Sequence, residues 1–214
     1  MLDWPPAVML ASCESLGCRT VVNDEDEAPG WDAIDTAVHS VVADRDPFHV
    51  GFGNLPGQGL FGLSAFRADG HWLLVTYGMT DLFLKDSDDQ QVSGWGYELT
   101  MRVPRDAEQP PAWTIRLLER LCDYTWSHGK PFASGHRMEP GGPITGRDDT
   151  RLRALAVTRD PELPAIDSPF GTVQFLTVVG ITTEELARMK ATRTATVLAE
   201  LATRSRLLIT DPSR

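Results

Sequence analysis

Gly94-Trp95-Gly96-Tyr97-Glu98-Leu99-Thr100-Met101-Arg102-Val103 alternates without a break. Trp95, Tyr97, Leu99, Met101 and Val103 fall on one side; Gly96, Glu98, Thr100 and Arg102 fall on the other. Successive side chains of an extended chain point to opposite faces, so the period of two predicts a strand over 94–103 with one packed and one polar face. Upstream, His71-Trp72-Leu73-Leu74-Val75-Thr76-Tyr77 is a nearly continuous apolar run, the pattern of a buried strand. Downstream, Pro110-Pro111 opens a stretch with Trp113, Leu117, Leu118, Leu121 and Thr125 at spacings of three and four, and Gly129 and Pro131 close it. That stretch is read as an amphipathic helix.

Working outward, Trp31, Ile34, Val38 and Val41 recur at helical spacing between Pro29-Gly30 and Pro47, predicting a helix over about 30–43. Segments 48–53 and 60–66 are apolar and glycine-rich, as strands and turns are. Residues 133–150 read as loop, 152–158 and 171–179 as strands. Thr182-Thr183-Glu184-Glu185 has the form of a capping box that opens a helix through about Lys190. A second helical piece is expected over 195–203, and Leu207-Leu208-Ile209 as a last short strand. Strands and helices mix without regular alternation. The expected fold is therefore α+β, a mixed and mainly antiparallel sheet packed with helices in a single domain. Residues 1–28, ending in the charge run Asn23-Asp24-Glu25-Asp26-Glu27, are expected to be a weakly structured acidic segment, leaving 29–211 for the domain.

The chain has 214 residues, 42% of them apolar and 23% charged, enough to bury a core without disulfide or metal. Thirty acids against twenty bases leave a net charge of −10, which argues against a nucleic-acid partner. Residues 1–50 hold ten acids and two bases, so the N-terminal quarter carries −8 of that charge. Such a field speeds encounter with a basic partner, or serves only solubility. Cys13, Cys18 and Cys122 are too few for a disulfide framework, and no second Cys or His pair completes a zinc site. The start, Met1-Leu2-Asp3-Trp4-Pro5-Pro6, has no basic region before an apolar run, and the stretch 7–11 is too short for a membrane span. A cytoplasmic protein with no membrane partner is expected.

Several patterns suggest chemistry and fail on context. Gly57-Gln58-Gly59-Leu60-Phe61-Gly62 matches the dinucleotide fingerprint, with Asp81 downstream, but no helical period follows it. A glycine-rich turn between strands accounts for it better. Asp86-Ser87-Asp88-Asp89 begins like a calcium loop, yet Gln91 stands where glycine is required and Tyr97 where the closing Glu belongs. Ser134-Gly135-His136 offers a nucleophile and a base without a nucleophile elbow. The six tryptophans read as core. Neither a cofactor nor a metal is expected. A hydrolase or nucleotide-binding enzyme using His136 or the 57–62 loop stands as the rival from another class. Asp81 and Glu98 stand out by context, and capping a turn or pairing with Arg102 or another base is one role open to them.

A set of segments in order also resembles one known family. They are Trp72-Leu73-Leu74-Val75-Thr76-Tyr77-Gly78-Met79-Thr80-Asp81-Leu82-Phe83, Ser93 through Val103, Pro110-Pro111-Ala112-Trp113, Asp160-Pro161-Glu162, Ser168-Pro169-Phe170-Gly171, Phe175 through Leu186, and Leu208-Ile209-Thr210-Asp211. In this order they resemble the Suppressor of fused domain from about residue 28 to 211. The resemblance implies a protein-binding module and no enzyme. Animal members hold a transcription-factor peptide as an added strand, clamped against a second, C-terminal domain. With the sequence ending at Arg214, that second domain is not expected. Single-domain bacterial relatives imply an immunity protein that neutralises a polymorphic toxin.

The resemblance also implies where the partner lies, with strands 72–77 and 172–179 as groove walls. The candidate contacts are Leu74, where the animal domain carries an aromatic, Tyr77, Asp81, Glu98 and Gln174. The expected partner is a protein or peptide, a basic toxin domain fitting the acidic surplus. A scaffold for an endogenous regulatory peptide is the alternative within the same class.

Overall fold

The computed structural model describes residues 27–55 and 57–214. The expectations for 1–26, including Trp4, Cys13 and Cys18, lie outside the described residues. Chain order is α1 (Pro29–His39), β1 (Phe48–Gly51), β2 (Gly62–Arg67), β3 (His71–Tyr77), β4 (Val92–Pro104), α2 (Ala112–His128), β5 (Arg137–Met138), β6 (Leu152–Arg159), β7 (Ile166–Ser168), β8 (Gly171–Thr182), α3 (Thr183–Ala191) and α4 (Thr194–Ala202). The eight strands form one sheet in the order β1-β2-β3-β4-β8-β6-β5, with β7 paired to β8. All pairs are antiparallel except β4 with β8. The α+β architecture is the one the sequence predicts.

Helices cover both faces. The apolar side of β4 (Leu99, Met101 and Val103) joins Leu74, Leu176 and Val178 under Leu118, Leu121 and Cys122 of α2. On the opposite face, Ile34 and Val38 of α1 pack on Phe66, Leu73, Val75 and Phe175. Beside them, Leu186 and Met189 of α3 and Val197 and Leu198 of α4 cover Ala154, Ala156, Val179 and Ile181. Strand β3 lies between two other strands beneath both layers, so all seven of its residues are buried. The capping box forms as expected: Thr182 Oγ1 accepts from Glu185 N at 3.2 Å, and Glu185 Oε2 accepts from Thr182 N at 2.8 Å.

Four expectations need correction. Helix α1 stops at His39, although Val42 still packs into the core behind a tight turn. Strands β5 and β7 are too short, at two and three residues, to carry a periodic signal. Residues 207–209 form no strand; Leu208 takes a left-handed φ of 53° there. The polar face of β4 is buried, because the turn after β3 closes over Glu98 and the loop after β6 over Thr100 and Arg102: each of the three is 0% exposed.

A buried charge needs a partner, and Arg102 does not pair with Glu98. Its guanidinium donates to both oxygens of Asp160, at 2.7 and 3.0 Å, and to Glu162 at 3.2 Å. Thr100 donates its hydroxyl to Asp160 at 2.5 Å, and the backbone amides of Glu162 and Leu163 donate from the loop after β6. Burial pushes the Asp160 carboxyl up, but the hydrogen bonds and charge of Arg102 outweigh it and hold the carboxyl below the usual range.

This pair fastens the β6–β7 loop to the centre of the sheet. Asp160→Ala should therefore cost about 3–5 kcal/mol in denaturant unfolding, because Arg102 would remain charged and buried with only the Glu162 contact left to it. The double variant R102M/D160L should lose much less. Equal losses would show that packing, not the orphaned charge, sets the cost.

Candidate functional site

The central strand also builds the site, beginning at its glycines. Gly94 takes a φ of 51°, and a Cβ there would lie 2.7 Å from Met79 O. Only glycine allows that approach, and it lets Trp95 N donate to Met79 O at 2.8 Å. Strand β4 therefore leaves β8 between Val92 and Tyr97 and pairs with the turn after β3. The strict alternation of 94–103 conceals this bend, because Trp95 and Tyr97 still reach the same apolar cluster.

The turn 78–80 is held from below by Glu98. Its carboxylate accepts from Gly78 N and Thr80 N at 3.0 Å each, from the hydroxyls of Thr76 and Thr80 at 2.7 Å each, and from Met79 N at 3.4 Å. Burial pushes its pKa up, and the donors only partly offset this, leaving it at about 7. Glu98 caps a turn, one of the roles left open by its sequence context.

Asp81 holds the next loop. It accepts from Ser87 Oγ at 2.8 Å and Gly94 N at 3.0 Å, with Lys85 Nζ 3.4 Å away. Lys85 donates to Val92 O and Phe170 O at 2.5 and 2.8 Å, tying this loop to the turn before β8. Tyr77 stacks on Trp31 with ring centroids 4.2 Å apart and donates to Asp35 at 2.7 Å. Burial, then the negative charge of Asp35, raises its hydroxyl pKa far above the ordinary value. Gly30 completes the junction: a Cβ there would fall 2.1 Å from Asp81 O, so α1 meets the loop backbone to backbone.

Above this scaffold lies a hollow of about 360 Å³. The 57–62 loop forms one wall, and Asp81, Leu82, Leu84 and Asp86 form the other. Leu55 and Leu84, 63% and 59% exposed, are the large apolar side chains most open to solvent among the described residues, and both flank it. Asp86, which lines it, is exposed, as are Asp88 and Asp89 two and three residues further along the chain.

The five candidate contacts separate accordingly. Tyr77 and Glu98 gather beneath the hollow but are buried, and Asp81 lines it with its carboxylate engaged. Leu74 is 0% exposed inside the cluster under α2, so it presents nothing to a partner. Gln174 is exposed elsewhere, in the gap where β4 and β8 part. The wall at 72–77 requires correction as a site for an added strand, because β3 has β2 on one side and β4 on the other; β8 is flanked by β4 and by β6 and β7 except where β4 parts from it beside Gln174. The ends of the sheet path are β1 and β5.

The chemical patterns settle similarly. The 57–62 loop leads into strand β2, with no helix N-terminus to meet a pyrophosphate. His136 Nδ1 accepts from Ala133 N at 3.2 Å, while Ser134 Oγ lies 3.4 Å from Thr158 Oγ1, so the two do not pair. One pair that sequence spacing does not reveal is His49 Nδ1 with Ser64 Oγ, 2.9 Å apart on neighbouring strands. Ser64 is 3% exposed, too buried to attack a substrate. No cluster of three or more metal-ligating side chains occurs among the described residues. No described helix is long and apolar enough to cross a membrane. The acid-rimmed apolar hollow was not foreseen. Its one sequence signal is Leu55 before Pro56-Gly57, an apolar residue in a turn that has no core to enter.

Comparison with known proteins agrees with this fold. The family model for Suppressor of fused protein matches residues 58–214. The human and mouse Suppressor of fused homologs are each 32% identical over 127 residues, 54% of this chain. The chain spans only a quarter of their length, 25%. The crystal structure of Drosophila Suppressor of Fused superposes with a TM-score of 0.76 at 27% identity, covering 89% of this chain and 51% of that one. A chain from the Sufu-Fu complex superposes with a TM-score of 0.77 at 26% identity, covering 88% and 92%. A homolog from Neisseria gonorrhoeae shares the fold at 14% identity, with a TM-score of 0.58 and coverage of 81% and 88%. The chain belongs to the Suppressor of fused family.

The buried carboxyl gives this site a pH signature. Folding favours neutral Glu98, so its stabilisation is complete below the ordinary carboxylate range and is lost as pH rises toward about 7. Between pH 4.5 and 8, native protein should lose about 1–3 kcal/mol relative to the Glu98→Gln variant in urea unfolding. A difference that stays constant with pH would mean that Glu98 titrates normally.

Proposed function

We propose that this member of the Suppressor of fused family is a protein-binding module that holds a partner polypeptide over the hollow between the 57–62 and 81–86 loops. It masks the partner by steric occlusion and makes or breaks no covalent bond. The observation that carries this reading is the rim: Leu55 and Leu84, both widely exposed, flank one acid-lined hollow. Exposed apolar side chains beside a preformed hollow are how one protein surface anchors another. A single apolar side chain inserted there contributes about 1.5–3 kcal/mol. The exposed Asp86, Asp88 and Asp89 fit a partner whose apolar anchor is followed by basic residues.

Support from relatives is of the same kind. The Sufu-Fu complex is an assembly of two proteins, and we carry that mode of action to this chain. The partner we propose is a toxin domain with a basic surface, this chain acting as its immunity protein. The chain's net charge of −10 supports this choice. Edge strand β1, which runs directly into the loop that bears Leu55, offers unpaired backbone groups along which an extended partner segment can continue. Tyr77, Asp81 and Glu98 act here as the support that keeps the hollow open, with Asp81 also at its wall.

Isothermal titration against toxin domains encoded beside this gene tests the reading. One of them should bind, and Leu84→Asp should weaken it at least about tenfold while leaving the melting temperature within a few degrees. Neutralising Asp86, Asp88 and Asp89 together should slow association and flatten its salt dependence. Unchanged affinity in both variants would place the interface elsewhere.

A further inference from the structure

A second hollow, of about 380 Å³, opens at the far end of the helix pair, between the N-terminus of α3 and the C-terminus of α4. Its floor is apolar: Val179 of β8, Leu201 of α4, and Leu208 and Ile209 of the C-terminal segment. Three arginines, Arg151, Arg204 and Arg214, stand around this floor with Glu184 and Glu185.

The two acids are already engaged. Glu185 accepts from Arg214 at both oxygens, at 2.6 and 3.1 Å, and closes the capping box with Thr182. Glu184 lies 3.9 Å from Arg151, both largely exposed. The Arg204 guanidinium makes no hydrogen bond or ion pair among the described residues, although the hollow lies against it.

The wall of this hollow is strained. Leu208, with φ at 53°, is the one non-glycine residue with positive φ among the described residues. A bulky side chain rarely adopts that conformation, and surrounding structure must enforce it. Here Leu208 N donates to Ser205 O, Ile209 N to Ser205 Oγ and Thr210 N to Arg102 O, at 2.8, 3.0 and 2.8 Å. The turn is thereby pinned with Leu208 facing the apolar cluster of α3 and α4. The enforced turn shapes the cavity.

We propose that this hollow is a binding site for a small amphipathic carboxylate, its apolar tail on Val179, Leu201, Leu208 and Ile209 and its carboxylate on Arg204. The volume lies at the small end for ligand sites and suits a tail of about eight carbons. Arginine is the side chain suited to holding a carboxylate by two parallel hydrogen bonds. A neutral tail would leave Arg204 without its counter-charge, and an amine would meet a site with one positive charge in excess, three guanidinium groups against two carboxylates.

Octanoate, octanol and octylamine, titrated into the whole protein and followed by methyl NMR, test the site. Octanoate should saturate with a Kd of roughly 1 mM or below, shifting the Val179, Leu201 and Leu208 methyls. Octanol should bind at least about fivefold more weakly, and octylamine more weakly still. Arg204→Gln, an exposed substitution, should reduce octanoate affinity by about tenfold without altering the melting temperature. Octylamine binding as well as octanoate, shifts confined to other apolar clusters, or full affinity in Arg204→Gln would each overturn the proposal. None of these results bears on partner docking at the first hollow.

Discussion

Glu98 and Arg102 are both buried on one face of one strand, and much of the molecule follows from where each finds partners. Four residues apart on a strand, the two lie about 13 Å apart with Thr100 between them, too far to satisfy each other readily. Instead, each is satisfied by a loop: Glu98 by the turn 78–80, Arg102 by Asp160 in the segment after β6. A buried charge left unpaired, or a buried carboxyl left without hydrogen bonds, costs free energy, so each loop is fixed in place by that penalty. Two irregular segments are thus tied to the sheet by side chains of its central strand.

The first of those loops bears the candidate site. Glu98 holds the turn from below, Asp81 and Lys85 close the segment after it, and Gly30 brings α1 against its backbone. The consequence is a hollow whose floor is densely hydrogen-bonded and whose rim is apolar and acidic. Rigid scaffolds with exposed loop-borne anchors suit recognition, because little order remains to be imposed when a partner arrives. Residues that resemble family signatures are in this case the support for the surface more than the surface itself. Tyr77, buried under Trp31, and Leu74, inside the α2 cluster, make the same point.

Much of the architecture was legible in the chain because it is local. The strand at 71–77, the helix closed by Gly129 and the Thr182–Glu185 capping box each depend on neighbours within a few residues. The candidate site was legible only in outline. The sequence picks out Asp81 and Glu98 but gives no sign that Asp81 is claimed by Ser87, Gly94 and Lys85. The His49–Ser64 contact and the rim of Leu55 and Leu84 were not legible, since each needs the pairing of strands or loops distant along the chain.

What the sequence by itself determined is which segments are strands and helices and which faces are apolar, since periodicity follows from backbone geometry alone. Tertiary structure alone decided that the polar face of β4 is buried, that strand 72–77 is interior, and that the hollow opens beside the 57–62 loop. Each of these depends on what lies across the sheet, and strand order is set by contacts between residues far apart in sequence. A period of two records that a face is polar; only the layer above it decides whether that face meets water or a buried partner.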